Sequence, residues 1–305
     1  MDKKSYLLRR LPIFLIGLLL ILPSSLYSGR YAADFLELGV GARSLGMGGA
    51  CVSHCFDGFA PLWNPAGIVG IERRELCGMH SSIFSGLANF DFISFSHPIP
   101  QKGELSLSYV RFAVDSIPEF PEDTTVHIPT GYFSDREHAL YLTYGKELYA
   151  FNNRILTGLN LKYISQSLYN NRGTGIGFDL GCIILYRWFN LGLNFKDIGN
   201  TYIVWNTETK HRDAIPMSVK FGISKDFSIK THRITLAVDL ERKYGFDIYY
   251  GGEYSFIDII YLRAGAKGRD FNIGGGLKIT KVAVDYVFSP YELGSSHRIS
   301  CRISF

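Results

Sequence analysis

Residues 297–305 read HRISCRISF. His297, Ile299, Cys301, Ile303 and Phe305 fall on one phase of a two-residue period, and Arg298, Ser300, Arg302 and Ser304 fall on the other. A helix would repeat every 3.6 residues, whereas successive side chains of a strand point to opposite faces. The C-terminus therefore reads as a strand with one apolar and one polar face, closed by an aromatic residue.

The alternation recurs in 105–112, 138–144, 155–165, 176–186, 217–223, 234–240 and 282–288. From Ile176 onward, the partners of the apolar stripe are Gly177, Asp179 and Gly181. One face of each strand meets an apolar medium and the other a polar one. Strands are predicted near 76–84, 88–97, 104–114, 137–148, 154–167, 174–187 and 189–196. The series continues near 215–224, 232–242, 247–256, 258–267, 271–279, 281–288 and 296–305, which makes 14. An even number of strands of about 9 to 11 residues suits an antiparallel transmembrane barrel of a bacterial outer membrane, with both chain ends on the periplasmic side.

Loop lengths test this independently, because such barrels carry short turns on one rim and long loops on the other. The two longest connections, 115–136 and 196–215, follow the third and seventh strands and so share the outward rim. Those at 187–190, 257–258 and 280–281 fall on the opposite rim and are short. A secreted β-sandwich would also alternate, but 19 tyrosines and 22 phenylalanines supply the girdle residues of a barrel in outer-membrane lipid. The terminal Phe305 is the kind of signal that barrel assembly machinery favours.

The chain is 47% hydrophobic and only 20% charged, which argues against disorder and allows one large domain. Residues 1–28 have the parts of a secretory signal peptide: Lys3, Lys4, Arg9 and Arg10, an apolar run from Leu11 to Leu22, and small residues up to Ser28. Removing them, with Asp2, lowers the formal +4 to about +1, and no basic stripe points to nucleic acid.

Between this segment and the strands lies 38–67, LGVGARSLGMGGACVSHCFDGFAPLWNPAG. Glycine this dense is kept where backbone approaches closely or φ is positive, so the stretch reads as a compact packed segment ending in an Asn64-Pro65 turn. It lacks the third glycine and the preceding strand of a dinucleotide fingerprint. Cys51, His54, Cys55, Cys77 and His80 have the ligand types of a zinc site at loose spacing. Packed free thiols, or a Cys55–Cys77 disulfide pinning the segment to the first strand, are the competing readings. No nucleophile setting is recognisable, so neither an enzyme nor a cofactor is expected.

The order of motifs resembles the PorV/PorQ family of outer-membrane proteins, itself similar to FadL-type barrels that carry long-chain fatty acids. The matching residues are Phe35-Leu36, Gly39-Val40-Gly41-Ala42-Arg43, Leu45-Gly46-Met47-Gly48-Gly49-Ala50, Asp57 and Trp63-Asn64-Pro65-Ala66-Gly67. Weaker matches follow at Leu191-Gly192-Leu193, Leu262-Arg263-Ala264-Gly265, Val284-Asp285-Tyr286 and His297-Arg298-Ile299-Ser300. Cys51, His54, Cys55 and Phe56 depart from the pattern, and the chain is short for a type IX secretion component.

The resemblance implies that residues 29–73 plug the lumen of a 74–305 barrel. Gly39, Gly41, Gly46, Gly48 and Gly49 would then let plug backbone reach the wall. Arg43 and Asp57 would pair with each other or with Asp179, Arg298 or Arg302, and Trp63, Asn64, Pro65 and Ala66 would form the landmark turn. It also implies passage of a hydrophobic ligand such as a fatty acid. Docking of an exported protein at the cell surface, and a structural barrel without cargo, are the alternatives.

Overall fold

The computed structural model describes residues 32–121, 128–150, 152–291 and 294–305; the expected signal peptide lies outside these residues. Strands β1 (Glu75–Ile83), β2 (Ala88–Ile99), β3 (Gly103–Glu119), β4 (Gly131–Ala150), β5 (Asn153–Leu168), β6 (Asn171–Leu185) and β7 (Asn190–Lys196) pair in chain order. After the short β8 (Thr201–Trp205) and β9 (Arg212–Ile215), the series resumes with β10 (Ser218–Ile229), β11 (His232–Arg242), β12 (Phe246–Phe256) and β13 (Ile260–Lys267). It ends with β14 (Asp270–Ile279), β15 (Val282–Tyr291) and β16 (Gly294–Ser304). β10 pairs with β7, and β16 with β1, so fourteen antiparallel strands close on themselves. Closure leaves the main barrel without the unpaired edge that an open sheet would expose.

Side-chain alternation sorts the wall into layers. Ile93, Tyr109, Leu140, Tyr163 and Ile176 lie side by side on β2 to β6, all outward and exposed. Phe95, Leu107, Leu142, Leu161 and Phe178 form the next outward row. The inward row between them is Ser94, Ser108, Tyr141, Lys162 and Gly177, all buried. Apolar outside and polar inside is the reverse of a soluble core, and it fits a barrel whose solvent is lipid.

The two long connections are more ordered than their sequence suggests. β3 and β4 continue to Glu119 and from Gly131, so much of 115–136 is strand. The register shifts between Val114 and Ile117, and Ser116 adopts φ 60°, a β-bulge that slips the alternation by one phase and so hides the strand. In 196–215, β7 breaks at Asp197–Asn200, where Asp197, Gly199 and Asn200 take positive φ. It resumes as β8, with Trp205 and Val204 opposite Gly173 and Thr174 of β6.

Residues 32–74 run inside the barrel. Glu37 pairs at 2.6 Å with Lys243, in the β11–β12 connection on the loop rim, whereas Arg74 accepts a hydrogen bond from the Phe305 N–H at the opposite rim. The segment therefore descends the lumen before β1 begins. It contains short helical turns at Asp34–Leu38, Ala42–Gly46, Ala60–Trp63 and Pro65–Gly70. The Asn64 side chain caps the last of these by accepting from Ala66 N–H at 3.1 Å, with Pro65 at the first helical position.

Candidate functional site

The luminal segment comes closest to the wall where the wall has no side chains. Gly145 of β4, Gly158 of β5, Gly181 of β6, Gly192 of β7, Gly222 of β10, Gly251 of β12, Gly265 of β13 and Gly274 of β14 all face it. A Cβ on Gly158 would overlap the Pro65–Ala66 peptide, and one on Gly181 the Asn64 amide oxygen. On the far side, a Cβ on Gly251 or Gly265 would overlap the Met47 backbone. This glycine girdle replaces side-chain packing by direct contact of wall with segment backbone.

Polar bolts supplement it. Asn160 Nδ2 donates to Pro61 O at 2.7 Å and Asn194 Nδ2 to Trp63 O at 2.6 Å. Asn64 Nδ2 donates to Val52 O at 2.7 Å and lies 3.3 Å from Cys182 O. The Trp63 indole N–H donates to Val40 O at 2.8 Å, holding two turns of the segment together. Every bolt satisfies a buried polar group that would otherwise destabilise the closed arrangement.

Two charge networks occupy the lumen, and a further buried cation, Lys220, lies 3.7 Å from Asp239. Arg43 grips Glu253 with two bonds of 2.9 Å, Glu253 also receives Arg263 Nε at 2.5 Å, and Arg263 reaches Asp285 at 2.7 Å. Arg43 lies only 3.8 Å from Asp57, which meets Arg302 at 3.3 Å and accepts from Phe59 N–H at 3.1 Å. On the opposite wall, Lys162 sits 2.8 Å from both Asp179 and Asp197. Lys220 donates to Gly49 O at 2.9 Å and stands 3.4 Å from the centre of the Tyr249 ring, a cation–π contact.

The apolar part of the lumen is a cluster around the segment that takes in Tyr141 of β4, Ile164 of β5, Ala237 of β11, Tyr249 of β12 and Val287 of β15. Met79 and Ile83 of β1, Phe90 and Phe92 of β2 and Val110 of β3 bury against Phe35, Phe59 and Leu62 of the segment. Towards the loop rim a cavity of about 80 Å³ lies among Leu36, Leu38, Leu45, Leu62, Trp63 and Tyr249, with Lys196, Lys220 and Glu241 at its polar side. Above it, burial raises the Glu37 carboxyl, but the Lys243 and Lys196 charges outweigh this and bring it down to about 2. Lower in the segment, burial, helped by Arg43, holds the His54 imidazole down at about 4, and burial pushes the Cys51 thiol up to about 12.

No family model and no curated protein matches the sequence. Solved structures do match in fold. The toluene transporter TbuX of Ralstonia pickettii is 12% identical and aligns over 88% of this chain and 98% of its own, with a TM-score of 0.56. The toluene transporter TodX of Pseudomonas putida is 12% identical, over 87% of this chain and 97% of its own, with a TM-score of 0.55. The chain is a bacterial outer-membrane β-barrel. The likeness is one of fold, and the narrower PorV/PorQ resemblance stands on sequence motifs alone.

Within the barrel, the residues singled out from the sequence are gathered in the luminal segment, with several different partners from those expected. Gly39, Gly41, Gly48 and Gly49 have positive φ; a Cβ on Gly39 would also fall 2.8 Å from the Trp63 ring, and one on Gly46 would lie 3.2 Å from Arg263 Cβ. The main partner of Arg43 is Glu253 rather than Asp57. Asp179 belongs to Lys162, and Arg298 donates to Leu38 O at 2.5 Å. Phe305 stacks on Phe95, with ring centres 6.4 Å apart.

The Cys55–Cys77 disulfide is not formed. All five cysteines are free thiols, and Cys55 Sγ instead donates to Asp57 at 3.4 Å. No group of three metal-ligating side chains occurs among the described residues. Cys77 is buried, facing inward, whereas His80 is on the outer wall against Asp91 at 2.6 Å. Three residues apart on a strand, they occupy opposite faces. Sequence reasoning missed Lys162, Lys220 and Glu253, and met Arg263, Gly181, Gly192 and Gly265 without giving them a contact with the segment. Their signal was present, since each charged member interrupts an apolar strand on its inward phase.

Proposed function

We propose that this barrel passes a hydrophobic small molecule across the outer membrane, with the stretch from Leu38 to Gly67 as its fixed plug and the turn Asp34–Leu38 above it as the gate. The observation that carries the reading is the cavity towards the loop rim, where Leu36, Leu38, Leu45, Leu62 and Trp63 of the segment and Tyr249 of β12 leave an apolar space inside the lumen. The toluene transporters of similar fold support the same class of cargo, with monoaromatic hydrocarbons and fatty acids as the first ligands to try.

The cavity of about 80 Å³ is small beside the roughly 150 Å³ that accommodates benzene in an engineered protein core. The described arrangement is therefore the closed one, and passage needs a movement. The glycine girdle opposes movement of Met47 and Asn64–Ala66. The upper turn Asp34–Leu38 is held more lightly, by the Glu37–Lys243 pair and the Arg298 bond to Leu38 O. That turn is the part to displace.

The test is uptake of labelled toluene and oleate by cells whose own hydrocarbon channels are deleted. In a background with the native cysteines replaced by serine, Glu37→Cys with Lys243→Cys ties the upper turn to the rim. Uptake is expected with the pair reduced and is expected to stop on oxidation. Uptake no better than that of cells lacking the barrel would overturn the transport reading; uptake indifferent to oxidation would overturn the moving turn.

A further inference from the structure

The outer wall carries a depression at the periplasmic end of β4 to β7. Along the sheet, Tyr144, Leu159, Leu180 and Phe195 form one outward row. In the next row towards the periplasm, Lys146, Thr157 and Cys182 stand side by side. Thr157 and Cys182 are much smaller than the residues above them, and the backbone of Gly158 and Gly181 shows through between the rows. The result is a groove of about 330 Å³, at the lower edge of the range of small-molecule sites.

Its chemistry is divided. The Thr157 hydroxyl is used internally, donating to Lys146 O at 2.9 Å, so the floor offers nothing to a polar ligand. At the periplasmic end stands Lys146, which forms no ion pair among the described residues; neighbouring Glu147 is held by Arg154 at 2.6 Å. Tyr144 donates to Lys102 O at 2.5 Å, which marks this level as that of the β2–β3 turn and hence of the periplasmic membrane interface. A groove inside the lipid band with an uncompensated cation at the headgroup level is complementary to an apolar chain that carries a phosphate at its end.

We propose that this groove binds one phospholipid of the periplasmic leaflet, an acyl chain lying along Tyr144, Leu159, Leu180 and Phe195 and the phosphate on Lys146. The lipid seals the outer side of the wall at the place where the inner side meets Asn64-Pro65-Ala66 across Gly158 and Gly181. The proposal is independent of what the lumen carries.

The experiment reconstitutes the purified barrel into vesicles of phosphatidylethanolamine and phosphatidylglycerol, re-extracts it in mild detergent and measures bound lipid by native mass spectrometry. One phospholipid per barrel is expected for the unaltered chain. Lys146→Glu is expected to lower retention of phosphatidylglycerol about tenfold, and Cys182→Phe, which fills the groove, to abolish it. Val284→Phe, outward on the opposite wall, is expected to leave retention unchanged. Heat-modifiable migration on gels confirms that each variant is folded. Equal retention by all four proteins, detergent or free fatty acid as the only adduct, or a second copy of the chain in place of lipid would overturn the assignment.

Discussion

Placing a single methyl group on the girdle tests whether the luminal segment is part of the wall or a loose insert. In Gly251→Ala the new Cβ would lie 2.2 Å from the Met47 carbonyl oxygen, where ordinary contact begins near 3.4 Å, so that peptide must retreat by about 1.2 Å. It has little room, since Gly265, the register partner of Gly251, presses the same peptide from the next strand. Two effects oppose each other. Glycine in a strand interior costs roughly 0.5–1 kcal/mol relative to alanine, whereas overpacking a tight contact costs about 1–3 kcal/mol. Because the obstructing atoms are backbone rather than a flexible side chain, overpacking wins, and a net loss of about 1–2 kcal/mol is expected. Gly275→Ala is the control, because its Cβ would point outward with its nearest neighbour at 3.5 Å, and it should be neutral or slightly stabilising. Urea unfolding in detergent micelles reads stability, and planar-bilayer recording reads the seal, which should become leaky in Gly251→Ala and more so with Gly265→Ala added. If Gly251→Ala matches Gly275→Ala in both assays, the girdle is not what holds the segment.

Three further outcomes follow from the lumen. Glu253→Gln removes the anion shared by Arg43 and Arg263 and should destabilise the barrel by about 3 kcal/mol in urea, more than Arg43→Met, which leaves Arg263 with both carboxylates. The folded-state depression of His54 favours its neutral form, so its contribution is complete above about 6.5 and is lost as pH falls towards about 4; His54→Phe should flatten the slope of unfolding midpoint against pH in that window. The buried thiols Cys51, Cys55 and Cys77 should react with a thiol reagent only after unfolding, and reductant should leave the intact mass of the purified protein unchanged.

The barrel was legible because lipid outside and polar filling inside impose a period of two on every strand, and HRISCRISF carries it without interruption. The pattern failed where geometry broke the phase. At Asp115-Ser116 the bulge puts two residues opposite one, so a real strand looked like loop. The luminal contacts were less legible for a different reason. That Arg43 would bind Glu253 more closely than Asp57 depends on how a segment without regular periodicity sits in a space defined by strands more than 200 residues away. The wall glycines were visible as letters, but glycine on an inward phase looks the same whether it faces water or another backbone. Cys77 and His80 could have been separated at once, since their spacing puts them on opposite faces of a strand already recognised as one.

The girdle also dictates an order of assembly. The luminal segment precedes β1 in the chain, yet it touches β4 to β14, and the ring is complete only when β16, the last strand made, finds β1. With no side-chain gap between Pro65 and Gly158 or between Met47 and Gly265, the segment has no slack through which to be threaded into a finished ring. It must already lie against the growing sheet when the seam shuts, so the segment ahead of β1 serves as the form around which the rest is curled.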